Sequence, residues 1–223
     1  MSVWRDLGKA WDILLGLPKS IRFNVHYFGL ARGLRLPVLL SRRVRLSRLE
    51  GDVELARMRF GAARLGFATT DAFPDVGTRS VWHVTGRVRF GDGVTIGPAF
   101  RLLCEGDLTI GKGVDMNAAA HLFCASRMEI GDGGLWAWQV TAMDHDFHRI
   151  DDAAGKRINE PRAVVFSDGV WVGANALVLK GTRIAPGVVV GAGSVVSGAH
   201  DEPGSVIAGN PATVVKRGIR WSR

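Results

Sequence analysis

The amino-acid sequence predicts an all-β solenoid, a parallel β-helix of hexapeptide repeats. Three observations predict it: an apolar residue at every sixth position, glycine at recurring offsets, and one long polar segment that obeys neither pattern. The period is plainest over 170–196, VWVGANALVLKGTRIAPGVVVGAGSVV, where Val172, Val178, Ile184, Val190 and Val196 keep register. An amphipathic helix would space its apolar residues by three and four instead. Gly173 and Gly191 follow register residues directly, and Ala176, Thr182, Val188 and Ser194, two before a register residue, are small or β-branched. Short strands meeting at turns fit this pattern. Three of them close a triangular coil, and coils stack at the strand spacing of about 4.8 Å.

Upstream the period continues as Val84, Phe90, Ile96, Leu102 and Leu108, shifts by two to Ile110, Met116, Leu122 and Met128, and shifts again to Ile130, Trp136 and Ala142. Residues 44–83 are less regular and suit one or two imperfect coils. With 223 residues, 47% of them hydrophobic, one core needs no second domain, and the 29 glycines punctuate the repeats rather than forming a linker. The β-helix domain is therefore placed at 44–212.

A solenoid cannot end on a bare coil, because its last section exposes apolar residues and unpaired strand edges. Residues 1–43 supply a basic, helical N-terminal extension: Val3, Trp4, Leu7, Trp11, Leu14 and Leu15 fall near helical spacing, and Pro18 is expected to end the run. Pro203, Gly204, Gly209 and Pro211 close the repeats before a tail, 213–223. The segment 144–167, DHDFHRIDDAAGKRINEPRAVVFS, has no six-residue register and must loop out of the prism, where backbone is free for function.

The net charge is +8, and residues 1–60 carry most of it, with twelve Lys/Arg against five Asp/Glu. Such a patch suits nucleic acid, an anionic membrane surface, or a phosphorylated or acidic substrate, and the plainer reading is a solvated basic face. Cys104 and Cys124 form neither a disulfide framework nor a zinc pattern, which suits a reducing, cytosolic setting. Trp4, Asp6, Lys9, Trp11 and Asp12 interrupt any leader-like apolar run, and no stretch reaches the roughly 18–20 apolar residues of a membrane span. A soluble or peripheral protein is expected.

The repeats, DHDFH at 144–148, VWVG at 170–173 and AGNPA at 208–212 resemble the hexapeptide-repeat acetyltransferases over residues 84–215. The likeness is strongest to the maltose/galactoside acetyltransferase-like and polysaccharide-biosynthesis O-acetyltransferases. The basic N-terminal segment followed by LPVLL resembles the polysaccharide-associated members. This resemblance implies a left-handed β-helix, a homotrimer whose sites lie between subunits, acetyl-CoA as co-substrate, no metal, and a sugar or glycan acceptor rather than nucleic acid. The cysteine usage places the protein in the cytoplasm, and the basic segment, with Arg alternating with Leu, Phe and Trp, suits peripheral contact at the inner face of the membrane.

By the same resemblance His145 is the general base. A sugar hydroxyl is a weak nucleophile at neutral pH, and a neutral imidazole can take its proton as it attacks a thioester. Asp144, Asp146 or a backbone carbonyl could fix the imidazole tautomer. His148, in the same loop, is placed on the acceptor side, and His121 sits on a coil as a surface residue. On the acceptor side, Asn117 stands thirteen residues before the IGD at 130–132, as in sugar-acetylating relatives, and Trp138 points outward. Cys124 occupies the place of a family acceptor-binding Asp; a thiolate relay there is disfavoured, because nothing nearby lowers its pKa. For the donor, Gly173, Ala174, Gly191 and Ala192 leave room for a pantetheine arm, and Lys216 and Arg217 suit CoA phosphates.

Two other classes stay open: a xenobiotic or amino-sugar acetyltransferase, and a non-catalytic β-helix interaction protein. A zinc enzyme on this fold needs converging histidines at HxxxxH spacing, which His121, His145 and His148 lack.

Overall fold

The computed structural model describes residues 2–67 and 77–223, with side chains from Trp11 onward, so those of Val3, Trp4 and Leu7 lie outside it. The chain winds through three sheets in turn, one on each side of a triangular prism. Among the described residues sheet A has nine strands, and sheets B and C have seven each. One coil runs through Val94–Ile96 in A, Arg101–Cys104 in B and Asp107–Ile110 in C; the next runs through Asp115–Met116, His121–Cys124 and Arg127–Ile130. Neighbouring coils pair in parallel, Ile96 with Met116 and Met116 with Trp136, Leu102 with Leu122 and Leu122 with Ala142. These residues are buried and fill the prism. The architecture is the parallel β-helix that the repeats predict, of the left-handed kind that the resemblance implies.

The two-residue shifts in the sequence period have a structural cause. In the earlier coils Leu102, Cys104, Leu108 and Ile110 all point inward, because the strands in B and C are four residues long. In the later coils Leu177–Val178 and Arg183–Ile184 are two residues long, and the strict hexad returns. The earlier coils are longer between sheets B and C.

The N-terminal helix, Ser2–Gly33, runs through Pro18 and breaks only at Gly29, where φ is 71°. The expectation that Pro18 ends it is wrong: Pro18 sits on the exposed side, and the opposite side is held down at several points. Helical backbone passes so close to the first coil at Gly16 that a Cβ there would meet the Leu40 carbonyl oxygen at 2.0 Å. The β-helix likewise begins upstream of residue 44, at the strand Val38–Leu40, whose free edge the helix covers with side chains. Asn24 Nδ2 donates to the Val38 carbonyl at 2.7 Å, and Asn24 Oδ1 accepts the Val38 amide at 3.0 Å. Ser20 Oγ accepts the Leu40 amide at 2.9 Å. Lys19 Nζ donates to the Val44 carbonyl at 2.9 Å, and Tyr27 OH to the Glu50 carbonyl at 3.1 Å. Phe23 closes the prism end against Trp82, with ring centroids 5.0 Å apart. Two coils, incomplete and irregular, lie between this cap and Val94, part of the second falling outside the described residues.

At the other end Val206–Gly209 and Ala212–Lys216 pair as an antiparallel hairpin. The tail beyond it turns back along a prism vertex: the Ile219 amide donates to the Gly204 carbonyl, Trp221 Nε1 to Gly169 and Arg223 Nη2 to Gly113.

Asn24→Ala should strand the buried amide and carbonyl of Val38. At about 1–3 kcal/mol for each unsatisfied group, thermal denaturation should show a melting point several degrees lower. An unchanged melting point would mean that the cap does not depend on this side chain.

Candidate functional site

The site grows from a break in the hydrogen-bond ladder at the vertex between sheets B and C. In the lower coils each turn amide finds a carbonyl on the coil above: Glu105 and Gly106 donate to Cys124, and Asp107 to Ser126. The matching amides one coil higher are those of Ala125, Ser126 and Arg127. Above them the chain leaves the prism, so the expected carbonyls are missing. The Asp144 carboxylate takes their place: Oδ1 accepts the Ala125 amide at 2.8 Å, and Oδ2 accepts those of Ser126 and Arg127 at 2.7 and 2.8 Å. Asp144 is completely buried. Its column descends through Cys124, Cys104 and Val84, the inward residues that end successive sheet-B strands.

His145 follows directly, its side chain 16% exposed, with Nδ1 2.9 Å from Asp144 Oδ1. A carboxylate already serving three amides can only accept from the imidazole. Nδ1 therefore carries the proton, and Nε2 presents its lone pair. Of the two flanking acids, the structure selects Asp144 as the partner of His145.

Asp146 has another task. Its Oδ2 pairs with Lys180 Nζ and accepts Asn159 Nδ2 at 2.9 Å, and these hydrogen bonds hold its carboxyl below the usual range. Asn159, 6% exposed, also accepts the Ile150 amide at 2.7 Å and donates to the His148 carbonyl at 2.7 Å. The excursion closes where the Arg162 amide donates to the Asp144 carbonyl at 2.9 Å. Phe147 adopts φ 62°, a left-handed conformation costly for a bulky residue. There its ring lies 4.4 Å from His145 and 5.2 Å from Phe123, between centroids.

The other sequence candidates fall in different places. His148 is exposed and lies outside the Asp144–His145 pair. His121 is on the outward side of sheet B beside Thr141, and burial and the Arg101 charge lower its pKa. Cys124 is inside the prism, 1% exposed, so it cannot line an acceptor cleft; the acceptor expectation is corrected here, because the longer strand turns position 124 inward. The neighbouring Cys104 thiol, with burial, pushes the Cys124 thiol far up, which also disfavours a thiolate relay.

Asn117, Trp138, Gly173, Ala174, Gly191 and Ala192 share the vertex between sheets A and B, at the opposite edge of sheet B from His145. Asn117 Nδ2 donates to the Trp136 carbonyl at 3.0 Å, and Trp138 is exposed. Lys216 ends the closing hairpin, and Arg217 pairs with Glu202 at 2.9 Å. Asn159, Lys180, Phe123 and Phe147 were not singled out from the sequence. Asn159 and Phe147 lie in an aperiodic loop, where spacing carries no signal; Lys180 and Phe123 sit on regular coils and gain their role only by facing that loop.

Asn159→Ala should free the loop without touching His145. Amide hydrogen exchange across 146–160 should quicken, because the Ile150 amide and the Asp146 carboxylate lose a buried partner. Unchanged exchange would show that the loop is held elsewhere.

No family model matches the chain. It is 52% identical over 61 residues to the Escherichia coli K12 protein WbbJ, whose name assigns it to lipopolysaccharide biosynthesis as an O-acetyl transferase. That match spans 27% of this chain and 31% of WbbJ. A 2,3,4,5-tetrahydropyridine-2,6-dicarboxylate N-acetyltransferase of Staphylococcus aureus strain JH9 is 46% identical over 55 residues, 24% of this chain and 22% of that one. The chain thus matches less than a third of the length of these curated relatives. Among solved structures, the polysialic acid O-acetyltransferase OatWY aligns over 81% of this chain and 91% of its own, with a TM-score of 0.57 and 23% identity, a likeness of fold. The chain is a hexapeptide-repeat β-helix whose relatives in sequence, and whose neighbour in fold, bear acetyltransferase names.

Proposed function

We propose that this chain is an acetyl-CoA-dependent O-acetyltransferase acting on a hydroxyl of a sugar or glycan-type acceptor, by direct transfer with His145 as general base. The observation that carries this reading is the buried Asp144 carboxylate, which fixes the Nδ1-protonated form of His145 at the mouth of the polar loop. Nε2 can then accept the acceptor's hydroxyl proton as that oxygen attacks the thioester carbonyl carbon. The carbon–sulfur bond breaks, and the same imidazolium returns the proton to the departing sulfur. Acetyl-CoA supplies the acyl group.

The small-residue vertex suits the donor. Gly173 is glycine because the next coil stacks on it, where a Cβ would meet the Ala192 amide nitrogen at 2.6 Å; the exposed Ala192 and Gly193 are where a thin pantetheine arm can lie against main chain. Lys216 and Arg217 are exposed, but the antiparallel hairpin returns them to the opposite edge of sheet A, where Lys216 pairs with Val206 and Arg217 with Glu202, so they stand off this column.

This column and His145 stand at opposite edges of sheet B, so one chain does not bring them together. The outward side of sheet B between them carries Leu103, Phe123, Met143, Leu177 and Val195 beside Arg101, His121 and Thr141, whereas that of sheet C carries ion pairs such as Arg89–Glu54 at 3.0 Å. The apolar row favours burial of sheet B against other copies, and a homotrimer would join His145 of one subunit to the donor column of the next.

The WbbJ match and the exposed Trp138, which could stack on a sugar ring, favour a glycan acceptor. The N-acetyltransferase relative keeps an amino-sugar or other amine acceptor as the second reading. Among the described residues no helix is long and apolar enough to cross a membrane. A cytoplasmic position near the membrane's inner face suits assembly of such a glycan.

Three outcomes test this. Acetyl-CoA should raise the melting temperature by mass action, and neither a thermal shift nor a calorimetric signal at saturation would remove the donor reading. His145→Ala should lower turnover by roughly 10²- to 10⁴-fold with CoA binding retained; near-normal turnover would remove His145 from the chemistry. An acceptor screen, read by thiol release and mass spectrometry, should find transfer to sugar hydroxyls, and transfer confined to amines would favour the second reading.

A further inference from the structure

The N-terminal helix has a face that the cap does not use. Its inner side, Gly16, Ser20, Phe23 and Asn24, is buried on the first coil. On the opposite side Trp11, Leu14, Leu15, Pro18 and Ile21 are exposed at spacings of three and four, forming one apolar stripe, with Trp11 62% exposed. Arg22 continues the stripe, and Arg32 and Arg35 follow in exposed positions beyond the Gly29 break.

Beside this stripe lies a basic hollow of about 470 Å³, lined by Lys19, Arg42, Arg43, Gly77 and Arg79. Lys19 is held at its rim by its bond to the Val44 carbonyl, and burial and the Arg79 charge lower its pKa. Asp12 is an acid beside it, 3.6 Å from Arg42 Nε. Between Asp12 and Glu50 the chain has eight Lys/Arg and no Asp or Glu.

We propose that this surface is a docking site for an anionic lipid bilayer: the stripe enters the headgroup region, and the flanking arginines and the basic hollow take lipid phosphates. Charge decides between this occupant and a second copy of the chain. Two copies meeting through the stripe would bring together two basic rims, each with its Asp12 already beside Arg42, whereas an anionic bilayer attracts that rim and accepts the apolar side chains. Arginine and lysine stems can lie along the stripe with their heads at the phosphates. The helix keeps its capping bonds throughout, since they use the other face.

The proposal gives the glycan-acetylating reading a place to work, but its test does not use that activity. The full-length chain is floated with vesicles of phosphatidylcholine alone or mixed with phosphatidylglycerol, at low and high salt and without acetyl-CoA. Two variants are compared: Trp11→Ser with Leu15→Ser, and Arg22→Glu with Arg42→Glu. All four sites are exposed, and circular dichroism and sedimentation check fold and mass. The wild type should float with the phosphatidylglycerol vesicles only, less so at high salt, and each variant should bind them about tenfold more weakly or worse. No flotation, equal flotation on both vesicles, or unchanged binding by both variants would overturn the proposal. So would an assembly mass that falls in the Trp11/Leu15 variant, which would assign the stripe to a second copy. Absence of transferase activity with normal flotation would count against the enzymatic reading alone.

Discussion

Every coil of this protein hangs its amides on carbonyls of a neighbouring coil, and the fold holds only where that ladder is complete or something completes it. In the middle of the chain the coils satisfy one another, Glu105 and Gly106 on Cys124 as Thr85 and Gly86 on Cys104. Among the described residues the ladder fails at three places: at the first coil, at the last, and where the loop leaves sheet B. Buried amides without acceptors cost about 1–3 kcal/mol each, so each failure needs a remedy. Asn24 and Ser20 mend the first edge, and a hairpin closes the last coil. Asp144 mends the break at the loop.

The third remedy couples stability to chemistry. A main-chain carbonyl could serve one or two of the orphaned amides, but a carboxylate serves all three and keeps a lone pair for His145 Nδ1. The residue that seals the coil thereby sets the direction in which the imidazole can accept a proton. Asn159 and Lys180 hold the far side of the loop through Asp146, so the two neighbouring acids divide the work. One is buried in the coil and orients the ring; the other is partly exposed and anchors the loop.

Much of this was legible in the residues. The hexad gave the prism and the faces of its sheets, and the aperiodic segment with His145 at its head marked the loop. The assignment of Cys124 to an acceptor cleft failed because spacing alone did not show which way the longer sheet-B strands turn their last residue. That column does carry a signal: Val84, Cys104, Cys124 and Asp144 recur every twenty residues, so an acid stands where the pattern demands a buried side chain. Pro18 misled for a similar reason, since the local rule against proline inside a helix was overridden by tertiary bonds from Lys19, Ser20 and Asn24. Asn159 gave no signal, because its partners are assembled by a loop without a period.

The central claim is that completion of the ladder by Asp144 fixes the tautomer of His145. It is tested most directly by ¹⁵N NMR of the imidazole, with His145→Gln used for assignment, at a pH where the ring is neutral. The account predicts a proton bonded to Nδ1, with Nε2 showing the shift of an unprotonated ring nitrogen, and loss of this preference in Asp144→Ala. A neutral His145 protonated at Nε2 in the unaltered protein would contradict it.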